Sequence, residues 1–89
     1  MRLVIVTGMS GAGRTTALKM LEDAGYFCVD NLPVPFIDKF AELTASGNSE
    51  ITKVAIGIDI RSGKSLSQLE QILEHLTAEH INYEILFLD

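Results

Sequence analysis

The sequence has little of what marks secreted, membrane-spanning or nucleic-acid-binding proteins. Its 89 residues include one cysteine, Cys28, so no internal disulfide can form, which fits a reducing cytoplasm. Its 7 basic residues are outnumbered by 12 acidic ones, and the net charge of −5 argues against broad DNA or RNA binding by this segment. No stretch approaches the ~20 apolar residues that a membrane helix needs. Because 47% of the residues are hydrophobic, we expect one soluble, core-forming domain.

Short apolar runs alternate with amphipathic stretches along the whole chain. Strands are predicted at residues 3–7, 26–29, 54–60 and 84–88, with one helix in each interval. This alternation is typical of right-handed crossovers in a parallel, doubly wound α/β sheet. In such a sheet we expect the first and third strands to be adjacent.

Apolar spacing indicates which helix faces should pack on the sheet. The first helix should bury Ala17, Met20, Leu21 and Ala24, with Leu18 beside them, and should end at Gly25. The second, which Pro35 can start, should bury Phe36, Ile37, Phe40 and Leu43.

The chain stops at Asp89, directly after the fourth apolar strand. No helix follows that could cover this strand, so we expect a sheet truncated after four strands and a longer protein. Residues 85–88 cannot all be covered by three helices. The exposed strand should therefore make the segment marginally stable or bind another chain, such as a second copy in an oligomer.

A glycine-rich segment joins the first strand to the first helix. Its residues are Gly8, Met9, Ser10, Gly11, Ala12, Gly13, Arg14 and Thr15. A G-x-x-x-x-G-K-[ST] motif between a strand and a helix is typical of the P-loop, whose backbone N–H groups hold phosphates. The motif predicts a nucleoside triphosphate site in a P-loop NTPase-type three-layer αβα fold. Thr15 would bind Mg²⁺, and Thr16 could add a hydroxyl to a nearby phosphate.

Arg14 departs from the motif, which has lysine at this position. Lysine carries a compact charge, whereas arginine is longer and planar, so the exchange is not conservative. The positive charge is kept. We therefore expect nucleotide binding to survive and hydrolysis to suffer.

Two segments resemble a known family. Residues 25–33, GYFCVDNLP, follow the first helix, and together with residues 7–13, TGMSGAG, they closely resemble the bacterial RNase adapter protein RapZ family of P-loop nucleotide-binding proteins (YvcJ-like in Gram-positive bacteria). The ending EILFLD is also similar to that family. The resemblance covers essentially the whole chain.

The resemblance implies ATP and GTP binding with weak NTPase activity. It also implies that Asp59, Ile60, Arg61 and Ser62 belong to a second nucleotide-binding element. Family members are longer, and their C-terminal part, which is associated with RNA binding and with regulatory protein partners, is expected to be absent here.

Two aspartates compete for the Walker B role, in which a carboxylate holds Mg²⁺ through water. Asp59 ends the third strand, which should lie beside the first. Asp89 ends the fourth strand and ranks lower, because that strand is expected to lie farther from the P-loop. A plainer role for Asp59 is to cap a turn or to pair with Arg61, which is otherwise a surface charge.

The remaining polar residues carry weaker signals. Asp30 and Asn31 end the second strand, where ligand sites gather in open α/β sheets, or they only form a turn. Cys28 is expected in the core. His75 and His80 are five residues apart, which is the wrong spacing for a shared metal site on a helix, so they should lie on the surface.

Three functions fit these features. The first is a regulatory ATP- or GTP-binding protein with weak hydrolysis. The second is a small-molecule kinase of the P-loop class, with Asp30 or Asp59 near the acceptor. The third is a P-loop fold that binds nothing, because Arg14 or truncation has spoiled the site. A kinase needs lid arginines after the fourth strand, so the coding sequence beyond Asp89 would discriminate them.

Overall fold

The chain folds into alternating strands and helices. A computed structural model describes residues 2–8, 11–45, 51–60 and 63–88. The elements, in chain order, are β1 (Arg2–Gly8), α1 (Gly11–Asp23), β2 (Phe27–Val29), a 3₁₀ turn (Val34–Phe36), α2 (Ile37–Ala45), β3 (Lys53–Ile58), α3 (Gly63–Ala78) and β4 (Tyr83–Leu88).

The four strands form one parallel sheet in the order β2-β3-β1-β4. Ile5, at the middle of β1, is level with Ile56 of β3 on one side and with Ile85 of β4 on the other. The predicted parallel sheet, with its first and third strands adjacent, is confirmed. The apolar run of β1 is explained by its position, because a central parallel strand is buried on both faces.

Helices cover both faces of the sheet. Alternate residues of β1 and β3 point to opposite sides. On one side, Leu18 of α1 packs in a cluster with Val4, Val6 and Ala55. On the other side, a larger cluster joins Leu3, Ile5, Val54 and Ile56 to Ile37 and Ala41 of α2 and to Leu69 and Leu76 of α3. The result is the three-layer αβα architecture expected of a P-loop-type fold.

The predicted buried faces of α1 and α2 are partly wrong. Met20, Phe36 and Leu43 are 68%, 56% and 72% exposed, while the small residue Ala41 is fully buried. Phe36 ends the 3₁₀ turn, so α2 begins at Ile37 and turns Ile37 and Ala41 toward the sheet. In α1 the buried position is Leu18 instead of Met20. Ala24, also predicted to be buried, follows the end of α1 at Asp23 and is exposed.

Both long helices end in the same hydrogen-bonding pattern. After α1, the N–H of Tyr26 donates to the carbonyl of Leu21, and Gly25 has a φ of 94°, which confirms the predicted end of the helix. After α3, the N–H of Ile81 donates to the carbonyl of Leu76, and His80 takes the glycine position with a φ of 60°. His80 therefore adopts a left-handed conformation without being glycine.

The strand β4 forms one edge of the sheet and is poorly covered. Ile85, Leu86 and Phe87 are all exposed, as the sequence predicts. Among the described residues, no helix combines the length and apolar character required to cross a membrane.

Candidate functional site

The candidate phosphate loop, residues 8–15, starts at the carboxyl end of the central strand. Gly8 ends β1 with a φ of 153°, a conformation that residues with a Cβ atom rarely adopt. Helix α1 begins at Gly11, so its amino end faces this edge of the sheet. The amino end of a helix carries partial positive charge and favours anions. Met9 and Ser10 lie outside the described residues, and of Gly11 and Ala12 only the backbone is described.

Arg14 lies in the first turns of α1 and reaches toward the ends of β2 and β3. Its Nε donates a hydrogen bond of 2.9 Å to Oδ1 of Asp30. One terminal nitrogen, Nη1, donates to the carbonyl of Ile58 at 3.5 Å and lies 3.9 Å from Oδ1 of Asp59. The Arg14 side chain is only 12% exposed. The cation of the loop is therefore paired with two carboxylates at the edge of the sheet.

Gly57 makes room for this arrangement within β3. An added Cβ atom at Gly57 would meet Oδ1 of Asp30 at 2.6 Å, Cδ1 of Leu18 at 2.9 Å and Cδ of Arg14 at 3.3 Å. A glycine inside a strand often marks such a close approach. Because Gly57 has no side chain, Arg14 can lie across β3 at this position.

Asp59 is the first residue after β3 and is partly buried. Because Ile58 pairs with Thr7, Asp59 is level with Gly8 at the start of the candidate loop. Ile60 packs against the larger core cluster, which gives it a structural role in addition to any contact with a ligand. Thr15 and Thr16 are exposed on α1, while Arg61 and Ser62 lie outside the described residues.

The expectation that the fourth strand lies farther from the candidate phosphate loop, which placed Asp89 below Asp59, is wrong. Strand β4 pairs directly with β1, and Leu88 is level with Gly8. The fourth strand is therefore as close to the central strand as β3 is. Asp89 itself lies outside the described residues, whereas Asp59 is seen beside Arg14.

The sequence left it open whether Asp30 belongs to a ligand site or only to a turn, and the structure places it in both a turn and an ion pair. It follows β2 directly and pairs with Arg14, and its neighbour Asn31 has a left-handed φ of 57°. The N–H of Leu32 then donates to the carbonyl of Gly57 at 3.1 Å. These features fix the turn against β3. The interior glycine of β3 was the signal that could have revealed the close approach of Asp30 and Arg14.

Cys28 and His75 take structural roles. The Cys28 thiol donates to the carbonyl of Leu18 at 3.3 Å, and burial followed by the charge of Glu22 raises its pKa, which disfavours the reactive thiolate. His75 Nε2 and Glu42 Oε1 are 3.0 Å apart, and with Glu79 they form an exposed group whose ligand atoms lie within 4.8 Å of one another. A surface hydrogen bond accounts for the His75–Glu42 contact, and His80 is not part of this group.

Comparison with known proteins identifies the family of the chain. A family model, the RapZ-like N-terminal domain, matches residues 1–89. The chain belongs to the RapZ-like N-terminal domain family. The resemblance based on GYFCVDNLP is confirmed.

The RapZ-like relatives share the whole of this chain. It is 62% identical to a nucleotide-binding protein of Lachnoclostridium phytofermentans and 54% identical to one of Agathobacter rectalis, in each case over 100% of this chain and 31% of the relative. A nucleotide-binding protein of Clostridium botulinum is 57% identical over the same 89 residues, which are 30% of its length. The chain thus spans about a third of the length of the relatives it matches.

Proposed function

We propose that the chain binds ATP or GTP at the candidate phosphate loop and hydrolyses it slowly. The observation that carries the proposal is the meeting of three features at one sheet edge: the glycine-rich loop after β1, the amino end of α1, and the Arg14 cation. Anions bind at such helix ends because the N–H groups and the helix dipole favour negative charge. The relatives named nucleotide-binding proteins support the same reading.

Mg²⁺ is proposed as the companion of the nucleotide. Mg²⁺ prefers oxygen ligands and usually keeps several waters. The partly buried Asp59 carboxylate at the end of β3, beside the loop, fits this chemistry, and Thr15 supplies a hydroxyl on the neighbouring helix. Thr15 would bind the ion directly and Asp59 through water. Bound Mg²⁺ would offset the charge of the phosphates.

Binding can be tested by calorimetric titration of the full-length protein with ATP and with GTP, each with and without Mg²⁺. We expect saturable binding that Mg²⁺ strengthens. Thr15→Ala should remove the Mg²⁺ dependence. Thr16→Ala is the matched control, because it deletes the same hydroxyl one residue later and should keep that dependence. If neither nucleotide binds at about 1 mM, which corresponds to a binding free energy of about −4 kcal/mol, the proposal is wrong.

Slow hydrolysis is part of the proposal because the family resemblance implies weak NTPase activity, and Arg14 in place of lysine should slow it further. Hydrolysis is measured as phosphate release without an acceptor. The alternative function, a small-molecule kinase, is favoured by Asp30, which lies at the sheet edge where substrates bind in α/β folds. A kinase would release ADP only when an acceptor is added. Phosphate release in buffer alone therefore separates the two functions.

Partners other than the nucleotide are proposed to bind elsewhere in the longer protein. Acidic residues outnumber basic ones by 12 to 7 in this chain, which gives a net charge of −5, whereas RNA binding requires a basic surface. We place RNA and regulatory protein partners on the part of the family that lies beyond this chain. A cytoplasmic location is proposed from the single cysteine.

A further inference from the structure

The positive charge of the candidate phosphate loop is already paired with a carboxylate. Arg14 is the only basic residue of residues 8–15. Its Nε is 2.9 Å from Oδ1 of Asp30, and its Nη1 is directed at the carbonyl of Ile58. The Arg14 side chain is 12% exposed and the Asp30 side chain 46% exposed, so solvent screens the pair mainly from the Asp30 side.

Carboxylate and phosphate present the same chemistry to a guanidinium. Both accept charge-assisted hydrogen bonds through anionic oxygens, and arginine binds both in preference to neutral groups. A phosphate oxygen at the loop would therefore compete with Asp30 for the Nε donor and for the charge of Arg14. Asp59 is a weaker claimant, because its oxygen is 3.9 Å from Arg14, beyond hydrogen-bonding distance.

The fold holds Asp30 in its place. Leu32 donates to the carbonyl of Gly57, Asn31 turns the chain through a left-handed conformation, and Gly57 has no side chain where the two charged groups meet. Asp30 is thus attached to the end of β3 and does not depend on Arg14 for its position. Arg14, on a long flexible stem, is the partner that can move.

We infer that Asp30 is an internal competitor of the nucleotide phosphates for Arg14, and that it lowers the affinity of the site. This inference rests on the proposed nucleotide binding. An incoming phosphate must share the charge of Arg14 with Asp30 or displace it from Nε, and in either case a carboxylate remains close to the bound anion. Removal of the Asp30 charge relieves both effects.

The test is the Kd for ATP and for GTP, with Mg²⁺, of the full-length protein and its variants. Asp30→Asn keeps the size of the side chain and should lower the Kd by roughly twofold to fivefold, the upper part of the range for a partly exposed ion pair. Asp23→Asn is the matched control. It makes the same exchange and the same change in net charge at the other end of α1, about 18 Å away for a helix of this length, and should change the Kd by less than about twofold.

A second pair of variants isolates the role of Arg14. In an Arg14→Met background, Asp30→Asn should lower the Kd by less than it does with Arg14 present, because the competition needs both groups and only the repulsion between Asp30 and the bound phosphate remains. An equal tightening in that background would show a general charge effect and would overturn the inference. Asp30→Ala is a second variant in case the asparagine disturbs folding, and the melting temperature of every variant reports whether it is folded.

The outcomes for the two proposals are distinguishable. If the wild type binds nucleotide while Asp30→Asn and Asp30→Ala, both folded, bind no tighter, the competition by Asp30 is refuted and nucleotide binding stands. If the wild type fails to bind and Asp30→Asn binds, the inference is supported in its strongest form. If no variant binds either nucleotide, both proposals fail.

Discussion

Gly57 lies directly against the carboxylate of Asp30, so that a Cβ atom added at Gly57 would stand 2.6 Å from Oδ1. The same atom would also press on Leu18 and Arg14. One position of β3 therefore governs both the packing of α1 and the ion pair at the candidate site. Within β3, glycine stands at the position where the side chains of Arg14 and Asp30 meet above the strand.

Gly57→Ala should destabilise the protein by about 1–3 kcal/mol, the usual range for an extra methyl group in a packed region. The side chains of Asp30 and Leu18, which would lie within 3.0 Å of the new methyl group, must both shift. Gly63→Ala is the control, because no atom lies within 4 Å of a Cβ added there. Urea unfolding measures both. Equal free energies of unfolding for the two variants would contradict the crowding at Gly57.

Arg14→Lys should raise nucleotide hydrolysis more than it tightens binding, if the proposed NTPase activity holds. Lysine restores a compact charge at the position where the transition state gathers negative charge, an effect typically about 3 kcal/mol, or roughly a hundredfold in kcat. Lys19→Arg, on the exposed face of the same helix, is the control. The measurement is kcat together with Kd. An equal or lower kcat in the lysine variant would mean that the loop has accommodated Arg14.

The pair of His75 and Glu42 should make stability depend on pH. The hydrogen bond to Glu42, with smaller effects of Glu79 and Asp38, raises the pKa of His75 above 6.5. Folding therefore favours the protonated imidazole. The stabilisation is fully present below the unfolded-state value and is lost as the pH rises through the higher folded-state pKa.

Melting temperatures at two pH values test this linkage. Glu42→Gln should lower the melting temperature at about pH 5.5 and have little effect at about pH 8.5, where an ordinary histidine is neutral. Glu74→Gln is the control, because it removes the same charge beside His75 without touching the hydrogen bond. A Glu42→Gln effect that is the same at both pH values would rule out the linkage.

His80→Gly should stabilise the protein by up to about 1 kcal/mol. His80 has a φ of 60°, and a residue with a Cβ atom pays for this left-handed conformation, whereas glycine does not. The gain is reduced by the greater freedom of glycine in the unfolded chain. His80→Ala removes the imidazole but keeps the strain, so it should bring no gain. Thermal unfolding that places glycine at or below alanine would refute the argument.

In the isolated 89-residue segment, Phe87→Lys should reduce self-association without lowering the melting temperature appreciably. Phe87 is 65% exposed on an edge strand, where an apolar side chain invites pairing with another chain and a lysine blocks it. Leu43→Lys, at a residue that is 72% exposed on α2, is the control away from the edge. Sedimentation velocity over a range of concentrations decides. A wild type that stays monomeric throughout would contradict the proposed role of β4.

The sequence was most informative about the strands and the loop. Continuous apolar runs and a glycine-rich turn are local signals, and they were sufficient to predict four parallel strands with β1 beside β3. The place of β4 was not predicted, because apolar runs carry no information on strand order, and the doubly wound architecture was used only to expect β1 beside β3. The prediction of the buried faces of α1 and α2 was wrong at Met20 and Leu43. An apolar stripe on a helix indicates a direction but not the width of the sheet beneath it.

The contacts of Arg14 could not be predicted from the sequence. Arg14 was expected to face phosphate, yet it reaches across β3 to Asp30. That contact depends on a long side chain, a turn after β2 and a glycine in β3, which lie far apart in the sequence. Only Gly57 was a visible signal, because glycine within a strand often marks a close approach of other groups.

The central position of β1 also bears on how the chain emerges from the ribosome. This strand is made first, but its neighbours are β3, from Lys53, and β4, from Tyr83. At about 5–20 residues per second, roughly two to nine seconds pass between the synthesis of β1 and that of its first partner. During this interval its apolar residues have no strand to pair with. The sheet therefore cannot form around β1 until the third strand has cleared the exit tunnel.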